Sequence, residues 1–221
     1  MEKDGKRAVE IVKLLRRHYP KSRTALEFSN PLQILVATIL SAQCTDQRVN
    51  MITPGLFARY PTAGDLARAE TAELERMIRS AGFFRMKARN IISAAKKITS
   101  DFGGKVPETM EDLVKLPGVA RKTANIVLSS AFDKAEGIAV DTHVKRVSGR
   151  LGLSAEKDAD KIERDLMAVV PKKDWLDFNY MMVDHGRAVC TARNPRCPEC
   201  FLRRLCPSAG IFMASRSGNG S

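Results

Sequence analysis

Apolar residues recur at helical spacing through most of the chain, with polar residues between them. Ala8, Ile11, Val12 and Leu15 fall at i, i+3, i+4 and i+7, on one face of a first helix that Pro20 stops. Asn30 and Pro31 read as the cap and first residue of a helix over LQILVATILSAQ, which is apolar nearly all round and therefore central. Similar patterns predict helices at about 46–59, 72–80, 86–101, 110–115, 121–131, 143–150, 158–169 and 174–188. Pro54 is expected to bend or interrupt the helix that contains it. No stretch alternates with period two over a strand's length, and GIAV at 137–140 is too short to count. The predicted fold class is all-α.

The 221 residues suit one or two domains, and 44% hydrophobic content is enough for a sizeable core. No apolar run approaches the ~18 residues of a membrane span. The longest, 34–40, is already broken by Thr38. The N-terminus, MEKDGKRAVE, is charged and lacks the apolar core of a signal peptide, so an intracellular protein with no membrane role is expected. Lys and Arg number 37 against 25 Asp and Glu, a net charge of +12. That surplus favours polyanions, since each phosphate contact releases condensed counterions. Charge alone leaves open a basic protein with no nucleic-acid role.

Cysteine placement is more specific. Cys190, Cys197, Cys200 and Cys206 stand at C-x6-C-x2-C-x5-C near the C-terminus. A disulfide framework does not suit a chain with a full core. Four clustered thiolates suit either one tetrahedral metal or an iron–sulfur cubane, and by spacing alone zinc is the commoner occupant. Pro195, Pro198 and Pro207 make this segment a loop organised by its metal. From Ile211 onward the sequence is small, polar and Gly/Ser-rich, and reads as a mobile tail. Cys44, in an apolar segment, reads as a buried spectator.

The richest stretch is LVKLPGVARKTANIVL, residues 113–128. A short apolar helix runs into the turn Leu116-Pro117-Gly118-Val119, and a second helix follows with Ala124, Val127, Leu128 and Ala131 on one face. Unpaired N–H groups at the start of that helix can hold an anion, so the pattern is a helix-hairpin-helix clamp for a DNA phosphate. An ordinary αα-hairpin would look the same in isolation. Lys122 lies in the first turn of the second helix, where the macrodipole disfavours an ammonium and makes a nucleophile, although a nearby phosphate would do the opposite. Asp141 precedes Thr142-His143-Val144 as a helix cap, a place a functional carboxylate can also occupy.

LPGVARKTAN, then AVDTH, then C-x6-C-x2-C-x5-C, with LSAQCTDQRVN and GFFRMKARNI before them, together resemble the endonuclease III family. The likeness runs from about residue 8 to 207. The family comprises DNA glycosylase/AP lyases of the helix-hairpin-helix superfamily. The resemblance implies that Lys122 attacks the anomeric carbon of a flipped nucleotide and that Asp141 is the essential carboxylate. Gln43 matches the residue that fills the gap left by the extruded base. Phe83 matches a wedge position, with Phe84 as the neighbouring alternative. Pro117, Gly118, Val119, Ala120 and Arg121 would grip a phosphate, joined by Arg193 and Arg196 of the cysteine loop. The resemblance also implies a [4Fe–4S] cluster rather than zinc. One departure is Ala120, where the family commonly has a second hairpin glycine. If that position needs positive φ, alanine strains the turn. His143 and His185 read as supporting structure and packing.

The expected architecture is two helical lobes. Residues 24–134 form a barrel carrying the hairpin; 1–23 and 135–210 form the cluster domain; 211–221 are a flexible tail. A cleft between the lobes would hold Lys122 and Asp141. Arg79, Arg85, Lys87, Arg89, Lys96, Lys97 and Lys105, against Asp101, would extend the basic face. The expected activity is excision of oxidised or saturated pyrimidines from duplex DNA, then strand cleavage by β-elimination. The expected partner is duplex DNA with a damaged base or abasic site, met by a monomer in the cytoplasm of a prokaryotic cell, at the nucleoid. Two rivals are a mismatch-specific glycosylase of the same superfamily and a non-catalytic, zinc-containing DNA-binding module.

Overall fold

Twelve α-helices, with no strand among the described residues, make up the computed structural model, which describes the backbone of 2–217 and the side chains of 5–214. They are α1 (Glu2–His18), α2 (Pro31–Ser41), α3 (Asp46–Arg59), α4 (Ala63–Ala67), α5 (Thr71–Met77), α6 (Phe84–Asp101), α7 (Met110–Leu113), α8 (Arg121–Phe132), α9 (Thr142–Arg150), α10 (Ala159–Val169), α11 (Trp175–Ala188) and α12 (Ala209–Ser217). No helix is long and apolar enough to cross a membrane among the described residues.

Contacts divide the chain into two units. One is Thr24–Glu136; the other takes the chain up to Arg23 and again from Gly137. In the first, α2 is the central helix, with every residue from Ile34 to Leu40 buried. Its start is fixed by Asn30, whose side chain accepts a hydrogen bond from Gln33 N at 3.0 Å, and by Pro31, which has no N–H to satisfy. The helices α3, α6 and α8 pack against α2, and α4 and α5 pack against α6. Leu56, Leu66, Leu74, Ile91, Ile98, Leu113, Val127 and Leu128 complete this core.

In the other unit the expected face of α1 is buried. Ala8, Ile11, Val12 and Leu15 pack with Val144, Val147, Ile162, Leu166, Phe178 and Met182. The α1 helix lies on α10 and α11, and α9 packs on α11. The 137–140 segment that leads into α9 is buried and non-helical.

Three local expectations change. Pro54 does not interrupt α3, which runs unbroken from Asp46 to Arg59. It lies on the exposed face, where water can satisfy the carbonyl that its missing N–H leaves. The short α4 was not expected from periodicity; a capping box, with Thr62 and Asp65 each bonding the other's backbone N–H, starts it. The part of the expected mobile tail from 211 to 217 is helical, because Ala209 is buried and Arg150 stacks over the Phe212 ring at 4.5 Å. Residues 218–221 lie outside the described residues.

Candidate active site and metal centre

The hairpin lies within the Thr24–Glu136 unit. From α7 the chain turns through Leu116, whose carbonyl accepts from Val119 N at 3.1 Å. Gly118 has φ +78, and a Cβ there would lie 2.8 Å from Asn90 Cβ on α6. Glycine is therefore needed both for the backbone and for the space. Ala120 is extended, at φ −91 and ψ 171, so the strain expected of alanine there does not arise. As N-cap of α8, Ala120 offers no side-chain acceptor to which the first-turn N–H groups could donate. Lys122, the second residue of α8, is exposed.

Two more turns in this unit carry expected DNA contacts. Gln43, just after α2, is exposed at φ +53. Phe83, N-cap of α6, has φ +46 and a side chain 61% exposed. Its neighbour Phe84 instead packs on the hydrophobic core, with Arg85 over its ring at 5.3 Å. Of the two rings, Phe83 is the one that projects.

The expected basic face loses a member. Lys87 is 2% exposed, and its Nζ donates to the carbonyls of Leu40 at 2.8 Å and Ala81 at 2.7 Å. It follows the register of Ile91, Ala94 and Ile98 on the inner face of α6, so it cannot meet a phosphate. Burial lowers its pKa, and Cys44 opposes that shift. Cys44 itself is half-buried beside the core. Lys97 is paired with Asp101 at 2.6 Å, while Arg79, Arg85, Arg89, Lys96 and Lys105 are exposed.

In the other unit, Asp141 caps α9. One carboxylate oxygen accepts from the backbone N–H groups of His143 and Val144, both at 2.8 Å. The second lies 3.1 Å from His143 Nδ1. The cap fixes the carboxylate in one orientation, while its side chain stays 23% exposed.

Cys190, Cys197, Cys200 and Cys206 line one cavity in this unit. Among the described residues, no three His, Cys, Asp or Glu side chains converge on a point that one metal ion could fill. Four thiols around one space are a donor set that an iron–sulfur cluster can take. Burial pushes the Cys200 thiol up to about 11 and raises that of Cys206, a cost that a bound cationic iron core would offset.

The groups around the thiols suit a thiolate set. Arg150 donates to Cys190 Sγ at 3.3 Å and to the carbonyls of Thr191 and Ala192, both at 2.7 Å. Arg146 donates to the carbonyls of Cys190 and Gly186, both at 3.0 Å. His185 is buried, with Nε2 3.6 Å from Cys200 Sγ and Nδ1 3.3 Å from the Tyr19 hydroxyl. Burial, helped by His18, lowers its pKa to about 4, so it is neutral near pH 7. Arg193 and Arg196 are both exposed, and Arg196 also donates to the Ala188 carbonyl and lies 3.6 Å from Glu199. Sequence reasoning missed Arg146 and Arg150. Their i, i+4 spacing was visible, but not their partners some forty residues on.

The chain matches the model of the HhH-GPD superfamily base excision DNA repair protein over residues 36–172. It also matches the iron–sulfur binding domain of endonuclease III over 190–206. It is 54% identical to endonuclease III of Synechocystis sp. over 95% of each chain. Against endonuclease III of Bacillus subtilis the identity is 47%, over 85% of this chain and 86% of that one. A solved trapped endonuclease III–DNA covalent intermediate superposes with TM-score 0.89 at 40% identity, covering 95% of this chain and 98% of that one. The match to the iron–sulfur binding domain of endonuclease III spans all four C-terminal cysteines, and the chain belongs to the endonuclease III family of helix-hairpin-helix base excision repair proteins.

Proposed function

We infer that this protein is a bifunctional DNA glycosylase and AP lyase that removes oxidised or saturated pyrimidines from duplex DNA. The observation that carries the reading is an exposed lysine at the second position of the helix that follows the Leu-Pro-Gly-Val turn, in a chain superposing on a trapped covalent endonuclease III–DNA intermediate. Lys122 supplies the amine and Asp141 a fixed carboxylate. As the N-glycosidic bond breaks, the base leaves with the bonding electrons and positive charge grows on the sugar, which the carboxylate stabilises. Lys122 Nζ, as the free amine, bonds to C1′; the C1′–O4′ bond then breaks, O4′ takes a proton, and the opened sugar is held as a protonated imine. The imine acidifies C2′; loss of that proton expels the 3′ phosphate, and water then releases the enzyme. Gln43 and Phe83 occupy the space of the extruded nucleotide. The turn 117–121 holds a phosphate, and Arg193 and Arg196 add charge. Cys190, Cys197, Cys200 and Cys206 would hold the [4Fe–4S] cluster, which would organise the 190–206 loop. The same reading places the protein with chromosomal DNA in the prokaryotic cytoplasm.

Borohydride trapping tests this directly. The wild type should form a covalent adduct with a thymine-glycol duplex, and Lys122→Ala should form none while still binding the duplex. Base release from a mismatch, with no adduct on the lesion, would instead place the protein among mismatch glycosylases. Normal trapping by Lys122→Ala would remove the assigned nucleophile.

A further inference from the structure

Among the described residues only Gln43, Phe83 and Asp133 have positive φ without being glycine. Two of these three are the residues read above as entering the duplex. One buried amine reaches the segments leading into both. Leu40, whose carbonyl accepts from Lys87 Nζ at 2.8 Å, lies in the last turn of α2, three residues before Gln43. Ala81, whose carbonyl accepts at 2.7 Å, lies two residues before Phe83.

The chemistry of this tie is specific. The last carbonyls of a helix have no partner within it, and a cation there is favoured by the dipole. Lys87 therefore closes the end of α2 with an ammonium in place of water. The turn carrying Phe83 lacks a cap of its own: Phe83, as N-cap of α6, makes no side-chain hydrogen bond. A left-handed non-glycine residue persists only where its surroundings hold it there. At both turns the preceding carbonyl is anchored to the same nitrogen. A buried ammonium is costly, and a leucine or methionine would fill the same core position without that cost. What an apolar residue would not do is join the two turns.

We propose that Lys87 is a positioning residue that links the Gln43 and Phe83 turns, so that gap-filling residue and wedge enter the duplex as one rigid unit. The proposal rests on the reading of Gln43 and Phe83 as DNA-probing residues. Lys87 touches neither DNA nor the reacting sugar; it acts through the backbone of the two turns.

The test uses the full, cluster-loaded chain and single-turnover excision from a thymine-glycol duplex. Lys87→Met keeps an unbranched side chain, one atom shorter, and removes its donors. It should slow excision about tenfold or more, as small misplacements of probing groups do. Gln43→Ala with Phe83→Ala should also slow it. Adding Lys87→Met to that pair should cost no more than about twofold further, because the residues act as one unit. Binding to an undamaged duplex should stay within about twofold of wild type. A purely packing role would instead multiply the two losses, and that result, or unchanged excision by Lys87→Met, overturns the proposal. Unchanged excision by the Gln43/Phe83 pair overturns it through its premise, a separate and recognisable failure. Should Lys87→Met not fold, hydrogen exchange on the wild type decides. The Cys44 amide, bonded to Ser41, and the Met86 amide, bonded to Phe83, should open with one common equilibrium, and independent opening overturns the link.

Discussion

At position 118 the hairpin excludes a side chain twice over. The backbone is left-handed, and the space a Cβ would take is filled by Asn90. Gly118→Ala should therefore lose about 2 kcal/mol or more, from the left-handed conformation and the forced shift of Asn90 together. It should also weaken binding to every duplex, because the turn proposed to hold a phosphate has moved. Two positions on, Ala120 is extended, so Ala120→Gly gains nothing in the folded state and loses at most about 1 kcal/mol through unfolded-chain entropy. Thermal melting and duplex binding, measured side by side, separate the two; equal effects would mean the turn's requirements have been misread. The chemistry of this turn was legible because Leu-Pro-Gly-Val states its own geometry. Which later position needed glycine was not, because only the backbone angle decides it. Lys87 was misread for the opposite reason. Counted among charges it looked like surface, yet its spacing to Ile91, Ala94 and Ile98 is that of a core position.

Among the elements, helices long enough to repeat an apolar face were readable, and those that depend on distant partners were not. The face of α1 and the all-round apolarity of α2 both correspond to buried residues. The five-residue α4 is too short to show a period, although its capping box was written in Thr62 and Asp65. In α9 the cap, Asp141, was legible, but the role of the last turn was not. Arg150 holds Cys190–Ala192 by three hydrogen bonds to groups forty or more residues away. Gly186, where α9 meets α11, lets that contact close, since a Cβ there would lie 3.0 Å from Arg146 Nη2. Arg150→Met should leave the helix intact but loosen Cys190, the first of the four cysteines proposed to hold the cluster. Loss of visible absorbance under an iron chelator should run about tenfold faster than in wild type, the usual scale for groups that orient a metal ligand. An unchanged bleaching rate would reduce Arg150 to a surface contact.

Across the whole molecule, each unit builds its core from its own residues, and only one of them includes the cluster loop. Leu202 is buried in that core, with Cys190, Cys200, Phe201, Leu205 and Cys206 packed against it. The core of Thr24–Glu136 contains none of these. Iron in the loop is therefore coupled to the folding of one unit, since a bound cluster stabilises only the state that holds it. The chain's one tryptophan, Trp175, lies in that unit, at the start of α11, and donates its indole N–H to the Val170 carbonyl at 2.9 Å. Its fluorescence reports the cluster unit alone, whereas far-ultraviolet circular dichroism reports the helices of both. Stripping the cluster should move the fluorescence midpoint down by about 1 M urea or more, given a slope of roughly 1–3 kcal/mol/M and several kcal/mol of lost binding. The dichroism should then become biphasic, its second phase staying at the midpoint of the Thr24–Glu136 helices. If both signals instead fall together, the hairpin and Lys122 depend on the cluster for their own fold, and the metal stabilises the unit of the proposed nucleophile as well as its own.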